Sequence, residues 1–334
     1  MTNRNPQDSV VQSIGMSARQ KFGHVHPLNR PGAAENAAAV YDQAGEGYAV
    51  YADGNQRDLF AFDGLHSYAD RCVWALLDAK LTDLRTSGVD EMRILDAGCG
   101  PGTWLRRLVT RAHALGFARI TARGFDIAQQ QIERARLLSR NLSRLPGVTL
   151  TFDVADLRER LPEADGSVDL TLCLYSVLSH LPVTNLPAIS AEFARVTSGS
   201  LIITVRPIGS PPSVFVDSIE KAHHFKLDHR RDLCEVELFD GRHFALGFHL
   251  FTASELRSYF TDHFDIQDLR GLDLFHSRFA PDPRWNPLSP AAADRLSDDL
   301  ARMEETYASS PGFMEHAAHL LLVTRRRAHA SGQP

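Results

Sequence analysis

The stretch Arg93–Leu108, RILDAGCGPGTWLRRL, sets an acid and three glycines where an apolar run ends and an amphipathic run begins. Glycines after a buried strand let a backbone approach a ligand closely, and the first N–H groups of the next helix point at whatever sits there. Three answers are open for the ligand of such a turn: a triphosphate, a dinucleotide, or something else. The triphosphate turn needs G-x-x-x-x-G-K followed by Ser or Thr, and Gly98 to Thr103 supplies no lysine. The dinucleotide spacing G-x-G-x-x-G fails too, because Gly98, Gly100 and Gly102 read G-x-G-x-G. Asp96 at the strand end would repel a pyrophosphate and suits an ammonium or a sulfonium.

Other residues able to do chemistry stand at comparable places. Asp126 ends RGFD, while Asp153 and Asp156 compete for one role in FDVADL. His180 follows the apolar run DLTLCLYSVL, and His223, His224 and His229 crowd into EKAHHFKLDHRR. A hydroxyl or ammonium acceptor needs a general base, and histidine titrates in the useful range, so His180, His223 and His224 are the catalytic candidates. A metal in the histidine-rich stretch is not expected, since the adjacent His223 and His224 point in different directions. In that stretch Lys221, Lys226, Arg230 and Arg231 outnumber Glu220, Asp228 and Asp232. The resulting mildly positive field suits an acidic or strongly polar group on a small ligand; a solvated helix face is the alternative reading.

Elements must bring these residues to one edge. MRILDAG, RITARGFD, VTLTFDV, SVDLTLCLY and GSLIITVRP read as strands, separated by the helices TWLRRLVTRAHALG, AQQQIERARLLSRNL and LPAISAEFARVT. Strands rich in Leu, Ile and Val that alternate with helices belong in a doubly wound, mostly parallel sheet. Two helices precede it, and in the second Tyr68, Cys72, Leu76, Ala79 and Leu81 form the predicted apolar face. In the first, Tyr41, Tyr48 and Tyr51 share one helix face, fit for core packing or for a lid. After Pro207 the rhythm changes: SVFVDSIEKAHHFKL is predicted as a helix, and Asp240-Gly241 marks a hairpin. Thr252 and Glu255 form a capping box for the helix that resumes the core.

With 334 residues and 43% hydrophobic content the chain can bury a sizeable core. A net charge of −5 argues against broad capture of nucleic acid or of an anionic membrane, and only Arg325–Arg327 hints at RNA. No apolar run is long enough to span a bilayer. Four scattered cysteines without C-x-x-C spacing suit a reducing cytoplasm.

LDAGCGPG resembles the first motif of the class I S-adenosylmethionine-dependent methyltransferases, D-x-G-x-G-x-G. RGFDIA, FDVADL, DGSVDLTLCLYSVLSHL and FARVTSGSLIITVRP resemble the later strands of that family in order. The resemblance is close over about residues 90 to 207, looser from 252 to 327, and fades in the first 60 residues and over 207 to 250. It implies a Rossmann-like, seven-stranded sheet with an antiparallel last strand near 317 to 326. It also implies S-adenosyl-L-methionine as cofactor, S-adenosyl-L-homocysteine as product and a small-molecule acceptor methylated at O, N or C. An RNA or protein methyltransferase, or a binding module without turnover, are the alternatives.

By the same resemblance Asp126 takes both ribose hydroxyls, Asp156 faces the adenine amine, and Leu157 packs on the ring. Cofactor contacts are likewise implied for Asp96, Gly98, Cys99, Gly100, Gly102, Ile127, Leu174 and Tyr175, whereas Trp104 is expected to pack. The expected organisation is an arm (1–34), a helical lid (35–90), the cofactor-binding core (91–207), an inserted α/β substrate cap (208–250), the rest of the core sheet (251–327) and a tail (328–334).

Overall fold

The computed structural model describes residues 33–53, 58–62, 66–213, 215–217, 219–279 and 289–327. The expected tail and nearly all of the expected arm lie outside them. In chain order the elements are helices α1 (Ala33–Asp53) and α2 (Ser67–Thr86), strand β1 (Glu91–Ala97), α3 (Thr103–Ala114), β2 (Arg119–Asp126), α4 (Gln129–Leu138), β3 (Val148–Val154) and β4 (Val168–Cys173). There follow α5 (Leu186–Val196), β5 (Thr197–Val205), β6 (Ala222–Asp228), β7 (Leu233–Leu238), β8 (His243–Gly247), α6 (Ala253–Phe260), β9 (Phe264–Leu272), α7 (His276–Phe279), α8 (Pro290–Tyr307) and β10 (His319–Arg326).

Seven strands form one sheet in the order β3-β2-β1-β4-β5-β10-β9. The order reverses between β1 and β4, and β10 alone runs antiparallel to its neighbours, pairing Leu320 with Val205 and His319 with Leu272. The first residue of β10 therefore lies at the edge where β5 ends. Side chains alternate between two cores, as a period of two requires. Leu95, Phe125, Cys173 and Ile203 face α5 and α6, while Ile94, Ala122, Leu172 and Ile202 face α2 and α3. Each large apolar side chain so buried contributes about 1.5–3 kcal/mol.

A third core stands apart. Val40 and Ala44 of α1 pack with Val216, Cys234, Val236, Leu238, Phe244, Leu246 and Phe248 of the segment after β5. The antiparallel sheet β6-β7-β8 and α1 thus share one apolar interior. Helix α1 is interrupted at Gly45, whose φ of 52° and ψ of −126° are not helical. The expected continuous tyrosine face is broken there, yet the Tyr41 and Tyr48 rings still meet at 4.8 Å. The side chain of Tyr51 lies outside the described residues.

Two other expectations are corrected. The segment HHFKL is strand β6, not helix, because Phe225 and Leu227 alternate with exposed His224 and Lys226 and turn toward the third core. The buried face of α2 is Ala69, Asp70, Val73, Leu77 and Leu81: Leu81 is buried as predicted, Ala79 is exposed, and the rest of the predicted stripe is off by one position. An i+4 row starting at Ala69 carries the helix onto the sheet, and Tyr68, Cys72 and Leu76 lie at its margin. The Thr252–Glu255 capping box is present at the start of α6, and Gly241, at φ 85°, turns β7 into β8.

Candidate functional site

The glycine turn leaves β1 at Ala97, and the N–H groups of Gly98 and Cys99 both donate to the Phe125 carbonyl, at 2.8 and 2.9 Å. Its glycines are required for different reasons. A Cβ on Gly98, at φ 74°, would stand 2.3 Å from Val177 Cγ2, and one on Gly102, at φ 76°, 2.7 Å from Phe152. At Gly100 a Cβ would meet nothing within 4 Å, so there the missing side chain leaves a cradle open to the cavity.

Asp126, at the end of β2, accepts the Gly100 N–H on one oxygen and the Ala128 N–H on the other, each at 2.9 Å. Burial pushes its carboxyl up, and those two amide bonds pull it back. Asp96 is buried deeper in the same wall, and its Oδ2 has no hydrogen-bond partner among the described residues. Burial, with the charge of Asp126 added, pushes it up to about 7. A buried carboxylate oxygen without a donor, facing a cavity, is a place for a cation or an N–H donor. Asp156, past β3, is pulled up by burial, but the guanidinium and N–H of Arg158 hold it below the usual carboxylate range. Its rival Asp153 is tied to Arg123 at 2.9 Å and does not line the cavity.

The cavity follows the carboxyl edge of the sheet. Asp156, Leu157, Asp126, Ile127, Asp96, Gly98, Cys99 and Gly100 line one half; Leu174, Tyr175, Arg206 and His319 line the other. Gly102 sits behind the turn and does not face it. Tyr175 and Ser176 leave β4 at φ 53° and 72°, and Thr204 of β5 holds both, its Oγ1 accepting one N–H and its carbonyl the other. Above, Tyr41 and Tyr48 of α1 and Phe215 and Phe248 after β5 form the roof.

His180 lies in this roof, buried. The Gly247 carbonyl can only accept, so His180 Nδ1 carries the hydrogen of their 3.1 Å contact. Its Nε2 then accepts the Tyr41 hydroxyl at 2.8 Å, and burial lowers the imidazole to about 4. The structure brings neither His223 nor His224 to the cavity. Both are exposed on β6, where His223 faces Glu237 at 3.6 Å and the Phe239 ring.

Several lining residues lay outside the sequence reading. His66 and Asp70 sit one turn apart at the start of α2, and Asp70 accepts the Tyr175 hydroxyl. Arg206 and His319 are the first residue past β5 and the first of β10; their positions at strand ends on the ligand edge were the available signal. Trp104, expected only to pack, stacks on Tyr175 at 6.0 Å and also lines the cavity.

A doubly wound sheet of this order, ending in one antiparallel strand and bearing a glycine turn between buried acids, is the class I methyltransferase fold. Residues 94–199 match the family model described as "Methyltransferase domain", which covers less than half of the chain. That match marks residues 94–199 as similar to a methyltransferase domain, and the orphaned Asp96 oxygen and the open Gly100 cradle within it would suit a nucleoside that carries a cation.

No curated protein matches the sequence. Among solved structures, magnesium protoporphyrin IX methyltransferase of Synechocystis PCC 6803 is similar at 14% identity, over 90% of this chain and 99% of that one, with a TM-score of 0.49. The PH0226 protein of Pyrococcus horikoshii OT3 is similar at 15%, over 83% and 95%, with a TM-score of 0.48. The cyclase SpnF is similar at 18%, over 89% and 98%, also with a TM-score of 0.48. The fold assignment rests on strand order and turn geometry rather than on these likenesses.

Proposed function

We propose that this chain methylates a small-molecule acceptor, at oxygen, nitrogen or carbon. The observation that carries the reading is the roof: α1 and the β6-β7-β8 segment share a core and close over the cavity with Tyr41, Tyr48, Phe215 and Phe248. A covered chamber admits a small acceptor more readily than a polymer. Of Arg325–Arg327, the expected hint of RNA, Arg326 and Arg327 are engaged by the His263 carbonyl and by Asp265.

In this reading residues 35–90 and 208–250 cap a core made of residues 91–207 and 251–327. Asp126 accepts the two ribose hydroxyls, Asp156 takes the adenine amine beside Leu157 and Ile127, and Asp96 faces the ammonium. Gly98, Cys99, Gly100, Leu174 and Tyr175 offer close-packed backbone along the same path, and Gly102 shapes the turn from behind. When bound, S-adenosylmethionine supplies a methyl group on a sulfonium and departs as S-adenosylhomocysteine. The chain's own share is alignment and exclusion of water, worth on the order of 7–11 kcal/mol where geometry is well held. His180 serves by fixing Tyr41 over the cavity, since its free lone pair is already taken by that hydroxyl. Four free thiols suit a cytoplasmic setting.

Incubating the purified chain with S-adenosylmethionine and a library of phenols, carboxylic acids and amines, and measuring S-adenosylhomocysteine by mass spectrometry, tests this reading. Product formed only with members of that library is expected. Product formed only with an RNA or protein fraction would overturn it.

A further inference from the structure

Strand order divides the cavity. The adenosine assigned to Asp156, Asp126 and Asp96, at the ends of β3, β2 and β1, leaves the portion past β4, β5 and β10 to the acceptor. His319, the first residue of β10, lines that portion, with its ring edge-on to Tyr175 at 5.1 Å and to His66 at 4.7 Å. It is 2% exposed, and neither of its ring nitrogens makes a hydrogen bond among the described residues. A buried polar group left unpaired in a cavity wall marks a place for a partner. His180 differs, since its Nδ1 hydrogen goes to Gly247 and its lone pair is taken by Tyr41.

The surroundings fix the form of the His319 imidazole. Burial, with His66 and Arg206 adding to it, holds the ring well below its ordinary value, so it is neutral at pH 7 and offers a lone pair. Asp70, which accepts the Tyr175 hydroxyl, and Arg206 are both buried and share this end of the cavity, so groups of opposite charge line it with the ring. So weak a base does not take the proton of an ammonium, which titrates near ~10. A hydroxyl asks less of it, because the oxygen becomes cationic and strongly acidic as it gains a methyl group.

We propose that the acceptor is a hydroxyl compound methylated at oxygen, and that His319 accepts the hydrogen bond of that hydroxyl and then its proton. This rests on the methyl-transfer reading. The hydroxyl oxygen forms its bond to the methyl carbon as the carbon–sulfur bond breaks with its electron pair on sulfur, and the hydroxyl proton passes to a ring nitrogen of His319. The positive charge lost at sulfur is then carried by the imidazolium, so the net charge in the cavity does not change. The expected histidine base thus moves from His180 to the first residue of β10.

The test uses the chain saturated with S-adenosylhomocysteine, so that the cofactor's own contacts are filled, and aromatic probes, because Tyr175, Phe215 and Phe248 line the cavity. In nuclear magnetic resonance of isotope-labelled histidines, with the His319 signal assigned by its loss in His319→Phe, 1-naphthol is expected to move that signal as the lone pair accepts a hydrogen bond. The hydroxyl-free 1-methylnaphthalene, of the same shape, is expected to leave it in place. By calorimetry 1-naphthol should bind at least fivefold more tightly than 1-methylnaphthalene. His319→Phe, which keeps a ring in the wall, removes that preference with S-adenosylhomocysteine affinity within twofold, and His319→Leu serves if the phenylalanine variant does not fold. A His319 signal that ignores 1-naphthol, equal binding or no binding of the two probes, or an unchanged preference in His319→Phe overturns the proposal. So does a preference lost in Asp70→Asn but kept in His319→Phe, which would give the hydroxyl to that acid. If S-adenosylhomocysteine itself does not bind the unmodified protein, the methyl-transfer reading falls, and the proposal with it.

Discussion

Asp96 binds its proton more tightly in the folded chain than in the unfolded one, because burial and Asp126 push it up to about 7 while a free aspartate titrates near ~4. The folded state therefore loses stability at this group as pH rises from about 4 to about 7, and the loss is complete above that. Asp96→Asn should melt higher than the wild type at pH 8 without ligand, with the gap closing by pH 5, and should bind S-adenosylmethionine more weakly. A melting difference that ignores pH would contradict the account. At the other end of the cavity, Asp156→Ala should weaken cofactor binding more than Asp153→Ala, since only Asp156 lines the cavity; calorimetry that reverses the order would return the adenine role to Asp153. Asp96 and Asp156 were legible because each stands at or just past the end of a strand within one short segment. Arg206 and His319 were not, since nothing in RPIG or AAHLLL marks a side chain that only strand pairing brings to the ligand edge.

Sequence periodicity carried the parallel strands and the helices between them, because runs such as ILDAG and LIITV bury both faces, whereas the antiparallel direction of β10 was implied only by the family resemblance. It misled at β6, where a charge-rich segment reads as a helix until the third core is there to receive Phe225 and Leu227. It misled on α2 as well, since Asp70 interrupts the apolar stripe that is actually buried. The glycine turn separates packing from binding. Gly98→Ala should lose about 2–4 kcal/mol in urea unfolding, because left-handed strain adds to overlap with Val177. Gly100→Ala, opening onto space, should lose about 1 kcal/mol of stability yet weaken cofactor binding at least tenfold. Equal stability losses in the two variants would contradict this separation.

On the scale of the molecule, the cavity lies along the carboxyl edge of one sheet, and α1 and β6-β7-β8, which share an interior of their own, contribute residues to its lining or next to it. Composition showed only that the chain can bury a sizeable core, and the third core could not be assembled from sequence, as it joins segments far apart in the chain. His223 and His224 stand on its outer strand, so alanine at both should leave turnover and cofactor affinity within about twofold; a large fall in turnover would return β6 to the acceptor site. No helix among the described residues is long and apolar enough to cross a membrane.

The central claim is that the acids at the ends of β1, β2 and β3 hold S-adenosylmethionine. Calorimetric titration of the wild type and Asp126→Ala with S-adenosylhomocysteine tests it most directly, with folding of the variant checked by circular dichroism. One site per chain is expected in the wild type, and a loss of at least tenfold in the variant, since a charge-assisted bidentate contact contributes about 2–4 kcal/mol. A wild type that does not bind, or a folded Asp126→Ala with an unchanged dissociation constant, would contradict it.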